Sequence, residues 1–169
     1  MTKSHIIGVY SDEYASSMSS QAREIRELRH YLKQIDPDAH ILEIDPRDLG
    51  KHHNLDCYLF DFGGYCYVDY SGSMREAISK NILQFVEMYP NTLFVPVSSM
   101  TSRFFVDVMP DEMKNACSNV NTEYGYSLMD VMPKIYEWLF GKKFVGELDY
   151  FDEPFFIEED EEDDTDCCD

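Results

Sequence analysis

His5-Ile6-Ile7-Gly8-Val9-Tyr10 is a short apolar run carrying β-branched residues, and it reads as a buried strand. A polar break, Ser11-Asp12-Glu13, follows it. Apolar positions then recur at Met18, Ala22, Ile25, Leu28, Leu32 and Ile35. Steps of three and four mark the stripe of an amphipathic helix. Arg23, Glu24, Arg26, Glu27 and Lys33 fall on the side assigned to water, and Asp36-Pro37 ends the helix.

The same alternation continues along the chain. Residues 39–44 form a second strand, and 45–50 a turn or short helix. Residues 56–62, Asp-Cys-Tyr-Leu-Phe-Asp-Phe, form a third strand stopped by Gly63-Gly64. Ser73 and Glu76 match the S-x-x-E capping box and start a helix carrying Ile78, Ile82, Phe85 and Val86. Residues 92–97 form a fourth strand, in which Pro96 removes a ladder donor. That strand therefore lies near an edge or stops at Pro96. Residues 103–116 are read as helix in both halves, kinked at Pro110, and a last helix spans 127–140 with Gly141 as its stop. Short apolar strands alternating with helices imply a mainly parallel sheet covered on both faces. The expected fold is α/β, a three-layer α/β/α sandwich of flavodoxin-like or Rossmann-like type. The expected organisation is one domain over 1–146 and a tail over 147–169, disordered from about 158.

Charge sets the tail apart. The chain of 169 residues has 14 Lys and Arg against 33 Asp and Glu, a net charge of −19. Residues 147–169 hold 13 of those acids and no Lys or Arg; the other 20 acids share residues 1–146 with all the basic groups. A chain so poor in clustered Lys and Arg is not expected to bind nucleic acid directly, because phosphate binding works by counterion release to such clusters. No apolar run approaches the roughly 20 residues of a membrane span. The start, Met1-Thr2-Lys3-Ser4-His5, has no apolar signal segment, so a cytoplasmic location is expected. The 5 cysteines are odd in number, and none are spaced C-x-x-C; a disulfide framework or zinc site is not expected. Cys57 and Cys66 sit among apolar neighbours and read as core residues.

In a parallel sheet the loops beyond the carboxyl ends of the strands gather in one crevice. Here those loops are Ser11-Asp12-Glu13, Asp61-Phe62-Gly63-Gly64 and Ser98-Ser99-Met100-Thr101-Ser102. Ser11, Asp12, Glu13, Asp61, Gly63, Gly64, Ser98, Ser99, Thr101 and Ser102 are the candidate ligand-binding residues. Asp12, Glu13 and Asp61 could hold Mg²⁺, and the hydroxyl-rich loop could hold a phosphate at a helix N-terminus. No other cofactor is expected. Each loop also has a plainer reading: a turn cap for Asp61, a solvated helix lead-in for Asp12 and Glu13, and helix capping for residues 98–102.

The loop set resembles the phosphoacceptor site of receiver domains. On that resemblance Asp12 and Glu13 are the acidic pair after strand one. Asp61 is the acceptor ending strand three, and Ser98 or Ser99 the hydroxyl ending strand four. Receivers also place a lysine after a fifth strand, and this sequence has no such strand and lysine. There is no G-x-x-x-x-G-K-[ST], G-x-G-x-x-G or G-x-S-x-G. His52-His53 falls in a loop at the opposite sheet edge.

With no complete catalytic set legible, the primary expectation is a non-enzymatic interaction or regulatory protein that docks on a basic protein partner. Tyr150, Phe151, Phe155 and Phe156 would fill apolar pockets, while Glu158, Glu159, Asp160, Glu161 and Glu162 face a basic rim. A viral or mobile-element inhibitor that mimics nucleic acid with this acid run is one form of that reading. The alternative is a small-molecule, nucleotide or phosphate-binding domain, with Mg-dependent enzymes included, using the crevice. A third use of residues 148–157 is purely structural, as a packed strap or last strand.

Overall fold

The computed structural model describes residues 3–11, 20–61, 73–123 and 127–152. Four strands, β1 (Ile6–Tyr10), β2 (His40–Ile44), β3 (Cys57–Phe60) and β4 (Leu93–Pro96), form one sheet in the order β2-β1-β3-β4. All three pairings are parallel. Five helices accompany them among the described residues: α1 (Ser20–Ile35), α2 (Ser73–Met88), α3 (Ser99–Val108), α4 (Asp111–Ala116) and α5 (Met132–Phe140). Among the described residues two 3₁₀ segments lie at Pro46–Lys51 and Leu128–Val131. The chain leaves β1 one way through α1 to β2, then returns past β1 to β3 and proceeds through α2 to β4. Parallel crossovers share one hand, so opposite directions of travel place α1 and α2 on opposite faces. α1 packs with α5, and α2 with α3. This is the α/β sandwich expected from the alternating pattern.

Apolar residues put each element where it is. β3 and β4 are buried at every position, whereas β2, with β1 as its one neighbour among the described residues, is largely exposed. α1 buries Ile25, Leu28, Leu32 and Ile35, the stripe read from the sequence, and adds Tyr31. Gly8 is required by close approach: a Cβ there would come 2.8 Å from the Tyr58 ring. That ring cannot swing away cheaply, because it is fully buried and its hydroxyl donates to Ile44 O at 2.9 Å. Cys57 is also fully buried, and burial pushes its thiol well above the ordinary range, which leaves it an inert core residue. Cys66 lies outside the described residues.

Pro96 explains why the sheet stops where it does. Leu93 N and Val97 N donate towards β3, to Asp56 O and Phe60 O, while Phe94 N points outwards to Asn119 O at 2.8 Å. Asn121 N returns a bond to Phe94 O, so Val120 sits beside β4 as a single parallel bridge. Position 96 shares the parity of Phe94, and its missing N–H is on that outer side. A fifth strand could not take up its next bond there. The sequence reading found no fifth strand followed by lysine and kept a last strand within 148–157 as a structural alternative; the structure places a one-residue bridge at Val120 beside β4, giving a 2-1-3-4 order with a rudimentary fifth position. Buried Asn119 holds the remnant by donating to Val86 O, Tyr89 O and Thr92 O at the end of α2.

Remaining boundaries follow local chemistry. The helical stretch after residue 98 is broken at Met109-Pro110, and Pro110 precedes α4. Asp45 caps the first 3₁₀ segment through Arg47 N at 2.8 Å. Burial works against its ionisation, but the hydrogen bonds and charge of Arg47 outweigh it and hold the carboxyl below its usual range. Gly141 closes α5 in the left-handed region (φ 71°), as its position predicted. No helix among the described residues is long and apolar enough to cross a membrane.

Candidate functional site

The direction of travel across the sheet reverses between β1 and β3, and the carboxyl ends of these strands border the crevice where α/β folds place ligands. Asp61 follows β3 directly and is 7% exposed. Ser98 Oγ donates to its Oδ1 at 3.1 Å, and Thr101 Oγ1 donates to the same atom at 2.5 Å. Ser98 is also the N-cap of α3 and accepts from Thr101 N at 3.1 Å. One carboxylate thus ties the end of β3 to the first turn of α3. These contacts are the helix-capping reading of the 98–102 loop, with Asp61 joined to the cap.

The residue that changes the chemistry of this corner is Glu24. It was assigned to the wet side of its helix. The structure corrects this: Glu24 is half-buried, with Tyr10 Oη donating to its Oε1 at 2.6 Å and its carboxyl hydrogen-bonded to Asp61. Burial, then the charge of Asp61 and the hydrogen bond to it, push Glu24 up from 4.5 to about 9. The bond from Tyr10 pulls the other way and is outweighed. At neutral pH Glu24 is therefore an uncharged acid, hydrogen-bonded to the Asp61 carboxyl. Burial beside a second carboxyl disfavours the charged form of Glu24, which therefore keeps its proton. The signal was present in the sequence: Glu24, Leu28 and Leu32 are spaced by four, so Glu24 continues the apolar stripe rather than the wet face.

Of the other candidates, Ser102 turns away, its Oγ donating to Pro96 O inside the core at 3.3 Å. Ser11 follows β1 and is bonded through its backbone N–H to Ile44 O. Ser99 begins α3, and its side chain lies outside the description. Asp12, Glu13, Gly63 and Gly64 lie outside the described residues, so the proposed metal trio is represented by Asp61 alone. Among the described residues no group of three or more His, Cys, Asp or Glu gathers to hold a metal ion. Carboxyl oxygens that a hard cation could use come from Glu24 and Asp61, with the hydroxyls of Ser98 and Thr101 beside them. Asp61 and Ser98, two residues named in the receiver-like reading, are hydrogen-bonded to each other. The segment after the rudimentary fifth position, 121–127, contains no lysine.

No protein-family model, curated protein or solved structure matches this chain. The site therefore stands on its own geometry.

Two surface cavities, of about 350 and 520 Å³, open at the amino ends of the strands, around His5 and His53. Several of their polar groups are tied internally: His5 Nδ1 to Asp36 at 2.7 Å, His53 Nδ1 to Tyr89 Oη at 2.6 Å, and Thr92 to Leu55 O. His52-His53 is thus at the edge opposite Asp61.

At the other end of the chain, residues 148–151 lie on α1. Asp149 is bonded to His30 and Gln34, and the Phe151 amide to Tyr31. Phe151 is partly buried against the core, whereas Tyr150 is 77% exposed. Of the partner-docking candidates, Phe155, Phe156, Glu158, Glu159, Asp160, Glu161 and Glu162 lie outside the described residues.

Proposed function

We propose that this protein is a non-enzymatic regulatory protein that docks on a basic protein partner through its acidic C-terminal segment. The observation that carries this reading is the strap. Residues 148–151 are clipped to α1, so while the strap is seated the chain enters its acid-rich sequence from a defined place on the domain. Asp149 sits near residues 30 and 34 of α1, and Phe151 near residues 23, 30 and 31. The strap therefore runs towards the N-terminal end of α1, on the side of the crevice. A segment with 13 acids and no basic residue, tethered in this way, favours a partner with a complementary basic groove, including one that normally holds nucleic acid. The test is a low-salt capture experiment with the full chain and with a chain ending at Asp152. The full chain is expected to retain one dominant basic protein. Release is expected near 1 M salt, where charges are screened beyond about 3 Å. Equal capture by the shortened chain would remove the reading.

A second reading is favoured by the Glu24–Asp61 pair. A buried carboxyl perturbed as Glu24 is, at a topological switch point, is a recurring property of ligand sites. On this reading the crevice binds a small ligand, with Mg²⁺ as the accompanying ion. A nucleotide panel with and without Mg²⁺ should raise the melting temperature of the native chain and lose that effect in Asp61→Asn. A flat panel for both proteins would count against it.

A further inference from the structure

The strap is held in an unusual way. Residues 142–152 belong to no described helix or strand, yet Asp149 is gripped at both of its backbone groups by one side chain. Gln34 Oε1 accepts from Asp149 N at 2.6 Å, and Gln34 Nε2 donates to Asp149 O at 3.0 Å. His30 Nε2 meets the same carbonyl at 2.9 Å. Two residues on, Phe151 N donates to Tyr31 Oη at 3.2 Å. The Phe151 ring then lies 5.5 Å from the His30 ring, with the Arg23 guanidinium 5.4 Å from its centroid. Tyr31 is fully buried, and burial holds its phenol above the usual range, so this hydroxyl keeps its proton and accepts the amide with an oxygen lone pair.

We infer that the face of α1 formed by Arg23, His30, Tyr31 and Gln34 is a peptide-binding site, and that the chain's own residues 149–151 are its resident ligand. The peptide class follows from the contacts. Backbone clamps at Asp149 read no side chain, so the first position is open to any residue other than proline, which lacks the N–H. The residue after it points to solvent and is unconstrained. The third must be aromatic, because its ring packs against an imidazole and beneath a guanidinium. Backbone bonding for affinity with one side-chain pocket for selection is the logic of extended-peptide recognition.

The connection to α5 allows the strap to leave. It spans 141–146 and has glycine at positive φ at both ends, Gly141 at 71° and Gly146 at 140°. Val145 between them is 91% exposed. A segment held by side-chain clamps at the end of such a connection opens locally, without unfolding the domain. Tethering gives the strap an effective concentration in the millimolar range, so a peptide in solution meets a site that is already occupied. The inference does not depend on the acidic-docking reading, since removal of residues 153–169 leaves every contact above in place.

The test uses the full chain and a fluorescent synthetic peptide of residues 147–152. Native protein should bind the peptide weakly. Phe151→Ala, whose strap has lost its ring, should bind it at least about tenfold more tightly, as expected when a tethered competitor is weakened. Gln34→Ala added to Phe151→Ala should abolish that gain. Equal affinity of the native and Phe151→Ala chains, or a gain that survives Gln34→Ala, would overturn the inference. If Phe151→Ala does not fold, amide exchange on the native chain decides instead. The Asp149 and Phe151 amides should be protected, and millimolar peptide should strip that protection without affecting β1 or β3. Amides that exchange freely from the start, or that millimolar peptide leaves protected, would equally overturn it.

Discussion

Glu24→Gln is expected to raise the melting temperature at pH 7 by roughly 6 to 12 °C, at about 2–4 °C per kcal/mol for a chain of this size. The argument rests on proton linkage. In the unfolded chain Glu24 ionises near 4.5, and in the folded protein near 9. Below pH 4.5 the carboxyl is protonated in both states, and its contribution to stability is fully present. Between these values the unfolded chain has released the proton and the folded chain keeps it. Stability is therefore lost as pH rises, levelling off above about 9. At pH 7 the loss is on the order of 3 kcal/mol. Glutamine keeps the shape of the neutral acid: its oxygen still accepts from Tyr10 Oη, and its amide still donates to Asp61. Melting curves of both proteins between pH 5 and pH 9 test this. Native protein should lose stability with a slope of about one proton, and the variant should lack that slope. Parallel curves would show that Glu24 is ionised in the folded protein.

Phe105→Ala is expected to cost about 3–5 kcal/mol, the range for removing a buried aromatic ring. Phe105 is fully buried in α3, and its ring meets Phe60 edge-on at 4.9 Å between centroids. Phe60, also fully buried, is the last residue of β3 and immediately precedes Asp61. Thr101 lies one turn before Phe105 on the same face of α3 and donates to Asp61. The ring is thus the packing contact behind the carboxylate cluster. Urea unfolding should show a lower midpoint with an unchanged slope, since the surface exposed on unfolding is nearly the same. The loss should spread to the site: with α3 less firmly seated, Thr101 holds Asp61 less well, and Glu24 should titrate differently from the native protein by NMR. A midpoint within experimental error of the native value would mean that α3 is not anchored through this ring.

Much of the architecture was legible in the residue order because its causes are local. The run at 5–10 and the three- and four-residue steps from Ala22 to Ile35 report which side of each element avoids water. Gly141 marked a helix end because the left-handed region it occupies strains any residue with a Cβ. Pro96 pointed to an edge or a stop. The structure shows both, and the parity of the β4 hydrogen bonds supplies the reason. Glu24 was misplaced because charge was allowed to decide its side. A carboxyl four residues before Leu28 and eight before Leu32 faces inwards whatever its charge, and its pKa moves to suit the position.

The sequence by itself determined the alternation of strand and helix, the parallel sheet that alternation requires, and the confinement of 13 acids to residues 147–169. Only the tertiary structure decided that Glu24 meets Asp61, that Asp61 meets the hydroxyls of the β4–α3 turn, and that residues 148–151 lie on α1. Hydrophobic periodicity repeats over a few residues and can be read along the chain. A meeting of side chains 37 or more than 100 positions apart depends on strand order, helix rotation and the path of a connecting loop, which the packed molecule sets as a whole.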